Sequence, residues 1–427
     1  MMPFDRYKFA EILSVSNILI IFMTVMLLYS FIRDRELIHT NLYFILFLLF
    51  ILSIISLITS DNVPVAARNE ITLLSGILIV ILIINICNND FIYKKFIIKI
   101  FQVALFVSIY AIFQSSYFLI TGENIFDTGL VKHYDFLPVT YVYQSNALFP
   151  SGIILGHYLL LPAVCGITIW SHISKWKHRV LIKTSVILSV IAIFCTMSRG
   201  AWIPLILFGL YLIYKKKRKF HKSIRPILLV SFLWGLFITI TPTIDFIGRM
   251  NPLSTYNRLG IIYSSFNSIS NNPFIGRGLG STVGQYFPNE QYNIFAANAN
   301  SIGKKLDIDL GKTYGRETHN TFLQVGVDLG IFGLFLYLLL LYMVWKNGIN
   351  SNNTSNKNIL NVLKKGVLIG FAITTICSLF SSLFFVKQTW VIIGLVFAGA
   401  NISRNSSTLE FQNGHPNIGY LQLREKI

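Results

Sequence analysis

Charge is what this sequence has least of. Asp, Glu, Lys and Arg together make up 13% of its 427 residues, whereas 54% are hydrophobic, a balance that excludes a soluble globular domain. Cysteines number four, Cys87, Cys165, Cys195 and Cys377. Each falls inside an apolar stretch, which excludes a disulfide framework in the aqueous loops. Internal repeats, heptads and low-complexity segments are absent, which leaves out solenoids and coiled coils. The first apolar stretch, Glu11 to Ile32, lacks a small-residue cleavage pattern and is followed by further spans, so it reads as a retained span rather than a signal peptide.

What is present is one apolar run after another. Measured against the roughly 20 residues needed to cross a bilayer, there are about eleven candidates, near 11–32, 41–59, 71–87, 96–120, 148–170, 180–197, 201–214, 226–245, 320–345, 363–385 and 388–403. Backbone groups in lipid must be satisfied within their own segment, which predicts helices. The expected class is therefore an all-α polytopic membrane protein with about 11–12 transmembrane helices. It divides into an N-terminal bundle of about eight spans over 1–245, a long loop at 246–318, C-terminal spans over 319–403 and a tail at 404–427.

The formal charge is +18, and most of the cations lie in short loops. "KKKRKFHKSIR" (215–225) holds seven Lys and Arg and "KWKHRVLIK" (175–183) holds four, while Lys94, Lys95 and Lys99, then Lys346, Lys357, Lys364 and Lys365, mark two more loops. Short loops rich in Lys and Arg stay in the cytoplasm. They alternate with poorly charged segments at 60–70 (Arg68), 121–147 (Lys132), 198–200, 246–318 and near Lys387, which predicts that these five face outward. The parity puts the C-terminus inside, and the N-terminus outside with eleven spans or inside with twelve. Nucleic acid is the poorer partner for these basic runs, because they carry no interleaved aromatic platform and no recognition fold.

Chemistry needs an aqueous segment, and 246–318 is the sizeable one. After Asn257, Leu259, Ile262, Phe266 and Ile269 recur at three- and four-residue intervals, one apolar stripe of a helix that Asn271, Asn272 and Pro273 stop. Lying on the bilayer, that amphipathic helix would hold Arg258 at headgroup level. The glycine-rich "PFIGRGLGSTVGQ" (273–285) follows as a run of turns containing Arg277. On the same face, Arg199 sits in the turn between two spans in "CTMSRGAWIPL". Alone, such an arginine reads as one snorkelling to the interface. His319 opens the next span in "RETHNTFLQVGVDLGIFG" (316–333); alone it reads as a polar end residue. Together on one face, Arg199, Arg258, Arg277 and His319 form a candidate site. Thr318 or its neighbours would cap the new helix, and imidazole, with an unperturbed pKa near 6.5, suits a proton acceptor at neutral pH. Asp307 and Asp309 lack the strand context of a metal-holding acidic pair, and "GRGLGS" (276–281) reads as a turn rather than a phosphate cradle.

"SRGAW" (198–202), "NRLGIIYSSFNSISNNPFIGRGLGS" (257–281) and "HNTFLQVGVDLGIFG" (319–333), in this order and these loop positions, resemble the O-antigen ligase and O-antigen polymerase family. These are bacterial inner-membrane glycosyltransferases that act on undecaprenyl-diphosphate-linked glycans. The motifs cover roughly 195–335. The resemblance implies a C-type glycosyltransferase-like helical fold and an inverting transfer at the outer, periplasmic face that needs no metal and no cofactor. It also implies an undecaprenyl-diphosphate-linked donor and a glycan acceptor, with a chain-length regulator or a second copy of the chain as candidate protein partners. By matching position, the "SRG" arginine is Arg199, the arginine heading the loop helix is Arg258 and the "HN" histidine is His319. Arg277 and Asp328 are support residues; Asp328 stands where the family commonly has Glu, so its reach is shorter. The family's Arg-containing segment before the fifth span has no clear counterpart in 141–162.

The chemistry is consistent. Two arginines can clamp a leaving diphosphate through charge-assisted, bidentate hydrogen bonds, and His319 can accept the proton of the acceptor hydroxyl. Ligase and polymerase differ in acceptor, lipid A–core or another lipid-linked repeat, and the sequence leaves both open. The alternative, a transporter or flippase of a lipid-linked saccharide, calls for charged or broken helices at mid-membrane. The apolar runs contain almost no interior ionisable residues and no clear inverted repeat.

Overall fold

A computed structural model describes residues 8–9, 13–14, 20, 22–25, 29, 38, 40–60, 63–123, 130–133, 141–149, 151–214, 252–280, 318–352 and 359–412. Among the described residues the fold is carried by ten helices: α1 (Leu42–Ile58), α2 (Val63–Ile86), α3 (Asp90–Thr121), α4 (Gly152–Ile169), α5 (Trp176–Cys195), α6 (Arg199–Tyr214), α7 (Pro252–Asn271), α8 (Thr321–Asn352), α9 (Ile359–Cys377) and α10 (Lys387–Gln412). Six of them, α2, α3, α4, α5, α8 and α9, are long and apolar enough to cross a membrane, with α1 and α6 as shorter apolar helices. The chain is an all-α polytopic membrane protein. Two small antiparallel pairings interrupt the helices: β1 (Lys8–Phe9) with β2 (Leu13–Ser14), and β3 (Leu130–His133) with β4 (Tyr141–Gln144), in register Leu130 to Gln144. The span expected at 226–245 lies outside the described residues, as does most of 11–32, whose start belongs instead to β2.

Several helix boundaries differ from the apolar runs. Helix α2 begins at Val63 rather than 71, because Ser53 of α1 donates to the Glu70 carboxylate at 2.7 Å and lets the helix include it. Helix α3 begins at Asp90 rather than 96, where the Asn89 side chain accepts from the Ile92 amide. Its 32 residues are about 48 Å long against a hydrocarbon core of about 30 Å, so its ends reach headgroup level, where Lys94 pairs with Asp90 at 3.6 Å. Helix α9 stops at Cys377 rather than 385, since in the apolar but serine-bearing segment that follows the carbonyls of Ser378, Leu379 and Ser381 accept from Asn320 and Thr321 at the start of α8, and those of Leu383 and Phe384 from Thr389 and Trp390 of α10. Helix α7 starts at Pro252, and the part of its apolar stripe at Ile262 and Phe266 is left uncovered by the protein, on the side expected to lie on the bilayer. Ile261, Ser264, Ser265 and Ser268 are buried, while Ile262 and Phe266 are exposed.

Small residues set the helix crossings, as expected where apolar burial gives no drive between helices in lipid. A side chain at Gly76 of α2 would collide with the buried Trp390 of α10, and one at Gly370 of α9 with Leu161 of α4. Ser108 of α3 and Ser189 of α5 share a hydrogen bond of 3.2 Å. Phe44, Phe47, Phe106, Phe113, Phe335 and Leu338 point outward.

The helices run so that the molecule has two chemically distinct ends. One carries Lys94, Lys95, Lys175, Lys177, Arg179, Lys346, Lys365 and Arg404. There Lys364 donates from its buried position to the Ser351 carbonyl and to Ser403. The other end gathers Ser60, Thr121, residues 145–149 and Ser151, Thr196–Ser198, Thr318–Asn320 and Ser378–Val386. Among the described residues the basic and the poorly charged loops fall at opposite ends, while the basic run 215–225 and most of 246–318 lie outside them. Sidedness follows from the positive-inside tendency and is testable with Glu123 and Ser174, both exposed. In a cysteine-free background, an impermeant thiol reagent on intact spheroplasts should label Glu123→Cys and spare Ser174→Cys. The reverse pattern would invert the protein.

Candidate active site

Four turns meet at the polar end, and two of them carry Arg199 and His319. In the first, before α4, the Ser145 hydroxyl and the Ala147 amide both donate to Oε1 of Gln114 on α3, and Ser151 caps α4 by accepting from the Ile154 amide. The second is the α5–α6 hairpin. There Thr196 donates to the Ile193 carbonyl at 2.6 Å and accepts from the Ser198 amide, and the Trp202 indole donates to the same Ile193 carbonyl. Arg199 is therefore the first residue of α6 rather than the middle of the turn 198–200.

The third turn, Thr318–Asn320, starts α8. Asn320, not Thr318, supplies the cap: its Oδ1 accepts from the Phe322 and Leu323 amides at 2.9 and 3.1 Å. Thr318 instead donates to the Asn320 carbonyl. The fourth is the α9–α10 segment, tied to the third throughout. The Thr321 amide donates to the Ser378 carbonyl and its hydroxyl to the Ser381 carbonyl at 2.7 Å, while the same hydroxyl accepts from the Leu383 amide. Asn320 Nδ2 donates to the Leu379 carbonyl, and Thr318 and Ser382 hydroxyls lie 3.2 Å apart.

Ser381 joins the arginine turn to the histidine turn. Its hydroxyl lies 3.2 Å from where a Gly200 Cβ would be, and its carbonyl holds Thr321. The first turn joins through the Ser145 amide, which donates to the Cys195 carbonyl at 3.1 Å. Among the described residues, three non-glycine residues have left-handed backbone: Ala147 (φ 46), Met197 (φ 50) and His319 (φ 51). All three are in these turns. Strained backbone that persists only because its surroundings impose it clusters at functional sites.

The electrostatics favour an anion. Helices α4, α6, α8 and α10 all begin here, so the positive ends of four helix dipoles point to one region. None of the four turns contains Asp or Glu, and Lys387 lies buried at the first residue of α10. Arg199 and Arg258 are described by their backbone only: Arg199 opens α6, and Arg258 lies on the first half of α7. Helix α7 reaches α8 where Ile269 occupies the space beside Gly326. The acidic pair Asp307 and Asp309 lies outside the described residues.

Arg277 and Asp328 come together elsewhere, in a break in α8. Gly330 departs from helical geometry (φ 69, ψ −168), which separates the Ile331 amide from the Val327 carbonyl it would meet in an unbroken helix. The segment 273–278 closes the gap. The Ile331 amide donates to the Pro273 carbonyl at 2.7 Å, the Arg277 amide takes the Val327 carbonyl at 2.9 Å, and the Gly278 amide takes that of Asp328 at 3.1 Å. Ser56 of α1 donates to the same Asp328 carbonyl, and the buried Asp328 carboxylate accepts from Gln324 at 2.8 Å. The glycine-rich run is thus a clasp on a broken helix, and the Arg277 backbone is part of it.

A side chain at Gly330 would strike the Phe274 carbonyl, whereas Gly122, at a similar φ of 71, has open space around it. Gly122→Ala should therefore cost only the left-handed penalty, about 1–2 kcal/mol. Gly330→Ala should lower the melting temperature and membrane abundance distinctly further. Equal losses in the two variants would mean that the clasp adds nothing.

Sequence reasoning missed Thr321, Ser381, Ser382, His157 and Gln388. A signal was available in the serines, Lys387 and Gln388 that punctuate the run 378–388, which is unusual inside a span. The O-antigen ligase family profile matches residues 184–338. Comparison with individually characterised proteins finds no match. The family match supports an O-antigen ligase-type function in surface polysaccharide synthesis, with a glycosyltransferase-like activity on a lipid-linked glycan in a membrane setting. Residues 184–338, which hold the Arg199 turn, the loop helix and the His319 turn, are thus similar to the O-antigen ligase family.

Proposed function

We propose that the protein transfers a glycan from an undecaprenyl-diphosphate donor to a sugar hydroxyl, at the periplasmic face of the inner membrane. The observation that carries this reading is the meeting of the Arg199 turn and the His319 turn on Ser381, in a region of four helix N-termini whose turns contain no Asp or Glu among the described residues. The acceptor oxygen attacks the anomeric carbon as the bond to the diphosphate oxygen breaks, which inverts the configuration. The electron pair leaves with the diphosphate, whose growing charge Arg199 and Arg258 neutralise. The acceptor proton passes to His319 and then to solvent. Arg277 and Asp328 hold the clasp beside the site.

The broken helix bears on the transporter alternative, since unwound carbonyls at mid-membrane coordinate cargo in that class. Here the Val327 and Asp328 carbonyls are already occupied by the clasp, which abuts Ser60 and Asn69 near the end of α1 and the start of α2. The break therefore lies toward the polar end.

The test is transfer from purified undecaprenyl-diphosphate-linked glycan by the protein in detergent with EDTA. Activity under chelation supports the reading, and its loss would return Asp307 and Asp309 as metal ligands. Deleting the gene separates the two acceptors. Bare core with accumulated lipid-linked polymer marks a ligase, and core bearing a single repeat marks a polymerase.

A further inference from the structure

Buried polar atoms without partners are rare in folded proteins and each calls for an explanation. At the polar end, Oδ1 of Asn146, Oγ of Ser198 and Oε1 of Gln388 are buried without a hydrogen-bond partner among the described residues, and the His157 ring has none beyond the Gly200 backbone. Three of these residues share one place. The His157 ring packs on Gly200, its Nε2 3.5 Å from the position of a Cβ there. Gln388 donates through Nε2 to the His157 carbonyl at 2.7 Å, which brings its side chain to α4 and leaves Oε1 unused. Ser198 lies against Gly156, the neighbour of His157, with its Cβ 3.5 Å from the corresponding position.

His157 is in the second turn of α4, Gln388 is the second residue of α10 and Ser198 immediately precedes α6. All three are at least nine-tenths buried, and Ser198 and Gly200 flank Arg199.

We infer that His157, Ser198 and Gln388 form a subsite for the ring hydroxyls of a sugar, next to the Arg199 turn. This rests on the reading of Arg199 as a diphosphate contact. None of the three is a carboxylate or an obligate cation, so the subsite suits a neutral ligand. An imidazole, a hydroxyl and an amide carbonyl together offer donors and acceptors in the mixture that a polyol presents. A sugar is joined to the diphosphate by a single oxygen, so the first sugar of the donor falls beside a guanidinium that holds the diphosphate. The acceptor sugar has the same chemistry and is the other source.

The experiment compares the affinity of the purified full-length protein in detergent for undecaprenyl diphosphate and for the same lipid carrying one hexose. It also measures KM for the acceptor glycan. In the wild type the hexose should tighten binding. Ser198→Ala and Gln388→Leu should each remove about threefold to tenfold of that gain, the size of one or two net hydrogen bonds, while affinity for the bare lipid stays constant. If the acceptor is the source, the hexose increment is unchanged and acceptor KM rises by a similar factor. Because the Ser198 hydroxyl has no partner, Ser198→Ala removes nothing the fold uses, and its melting temperature should hold or rise. Unchanged hexose increment and unchanged acceptor KM in both variants, with wild-type binding of the bare lipid intact, would overturn the subsite. Failure of the wild type to prefer the diphosphate lipid over undecaprenyl monophosphate would instead remove the Arg199 reading, and the subsite with it.

Discussion

Replacing His319 with asparagine should leave the protein at its normal level in the membrane and slow the chemical step by roughly 10²–10⁴-fold, the effect of losing an acid–base group. Asparagine is the informative choice because His319 occupies left-handed backbone (φ 51), a conformation that Asn tolerates better than most residues. Alanine there adds backbone strain to the loss of the imidazole, and a fall in abundance would confuse the result. Glutamine keeps a hydrogen-bonding side chain without a usable base and should be nearly as inactive as Asn. Donor binding should change little in any of these variants, since in the proposed mechanism the diphosphate is held by the arginines. Near-normal turnover by the Asn or Gln variant would remove His319 as the base. Normal turnover with reduced abundance would mark it as a residue of the turn only.

Arg199→Lys and Arg258→Lys should each abolish most of the transfer while keeping the charge. Lysine offers a point charge where a planar fork is needed, and a bidentate contact to a diphosphate cannot be rebuilt from it. The loss should appear in kcat together with weaker donor binding, because the charge on the diphosphate grows toward the transition state. Arg277→Lys should be mild: the backbone amide of Arg277, which closes the break in α8, is kept by any residue but proline. Full activity of both the Arg199 and Arg258 lysine variants at normal abundance would take the clamp out of the mechanism, and a severe Arg277→Lys defect would move it there.

The helices were legible because lipid leaves the backbone few choices, and an apolar run of sufficient length is therefore a helix. Their ends were less so. The apolar count carried α9 through Phe384 and Phe385, but α8 satisfies the carbonyls of Ser378, Leu379 and Ser381, and hydropathy does not register partners about sixty residues away. Glu70 shortened α2 on paper for the same reason, its Ser53 partner lying on another helix. Within the site, Arg199 and His319 stood out as polar residues at the margins of spans, and their shared face followed from loop charge. Their link through Ser381 and Thr321 did not, and neither did the polar cluster at His157 and Gln388, because each depends on contacts between distant segments. "FIGRGLG" was readable as a series of turns. Its use as a clasp was not, since the broken helix it closes reads in the sequence as an ordinary span.

The clasp also constrains how the chain is made. Until Pro273–Gly278 is seated, the Val327 and Asp328 carbonyls and the Ile331 amide lack these partners, and hydrocarbon penalises each unsatisfied group by several kcal/mol. A nascent α8 released sideways into lipid would carry that penalty near its polar end. The ribosome, however, delivers the clasp first, some fifty residues ahead of Gly330, together with α1 and α2, near whose junction it rests at Ser60 and Asn69. The order of synthesis thus matches the order in which the partners are needed, and α8 completes its insertion onto a surface that already exists.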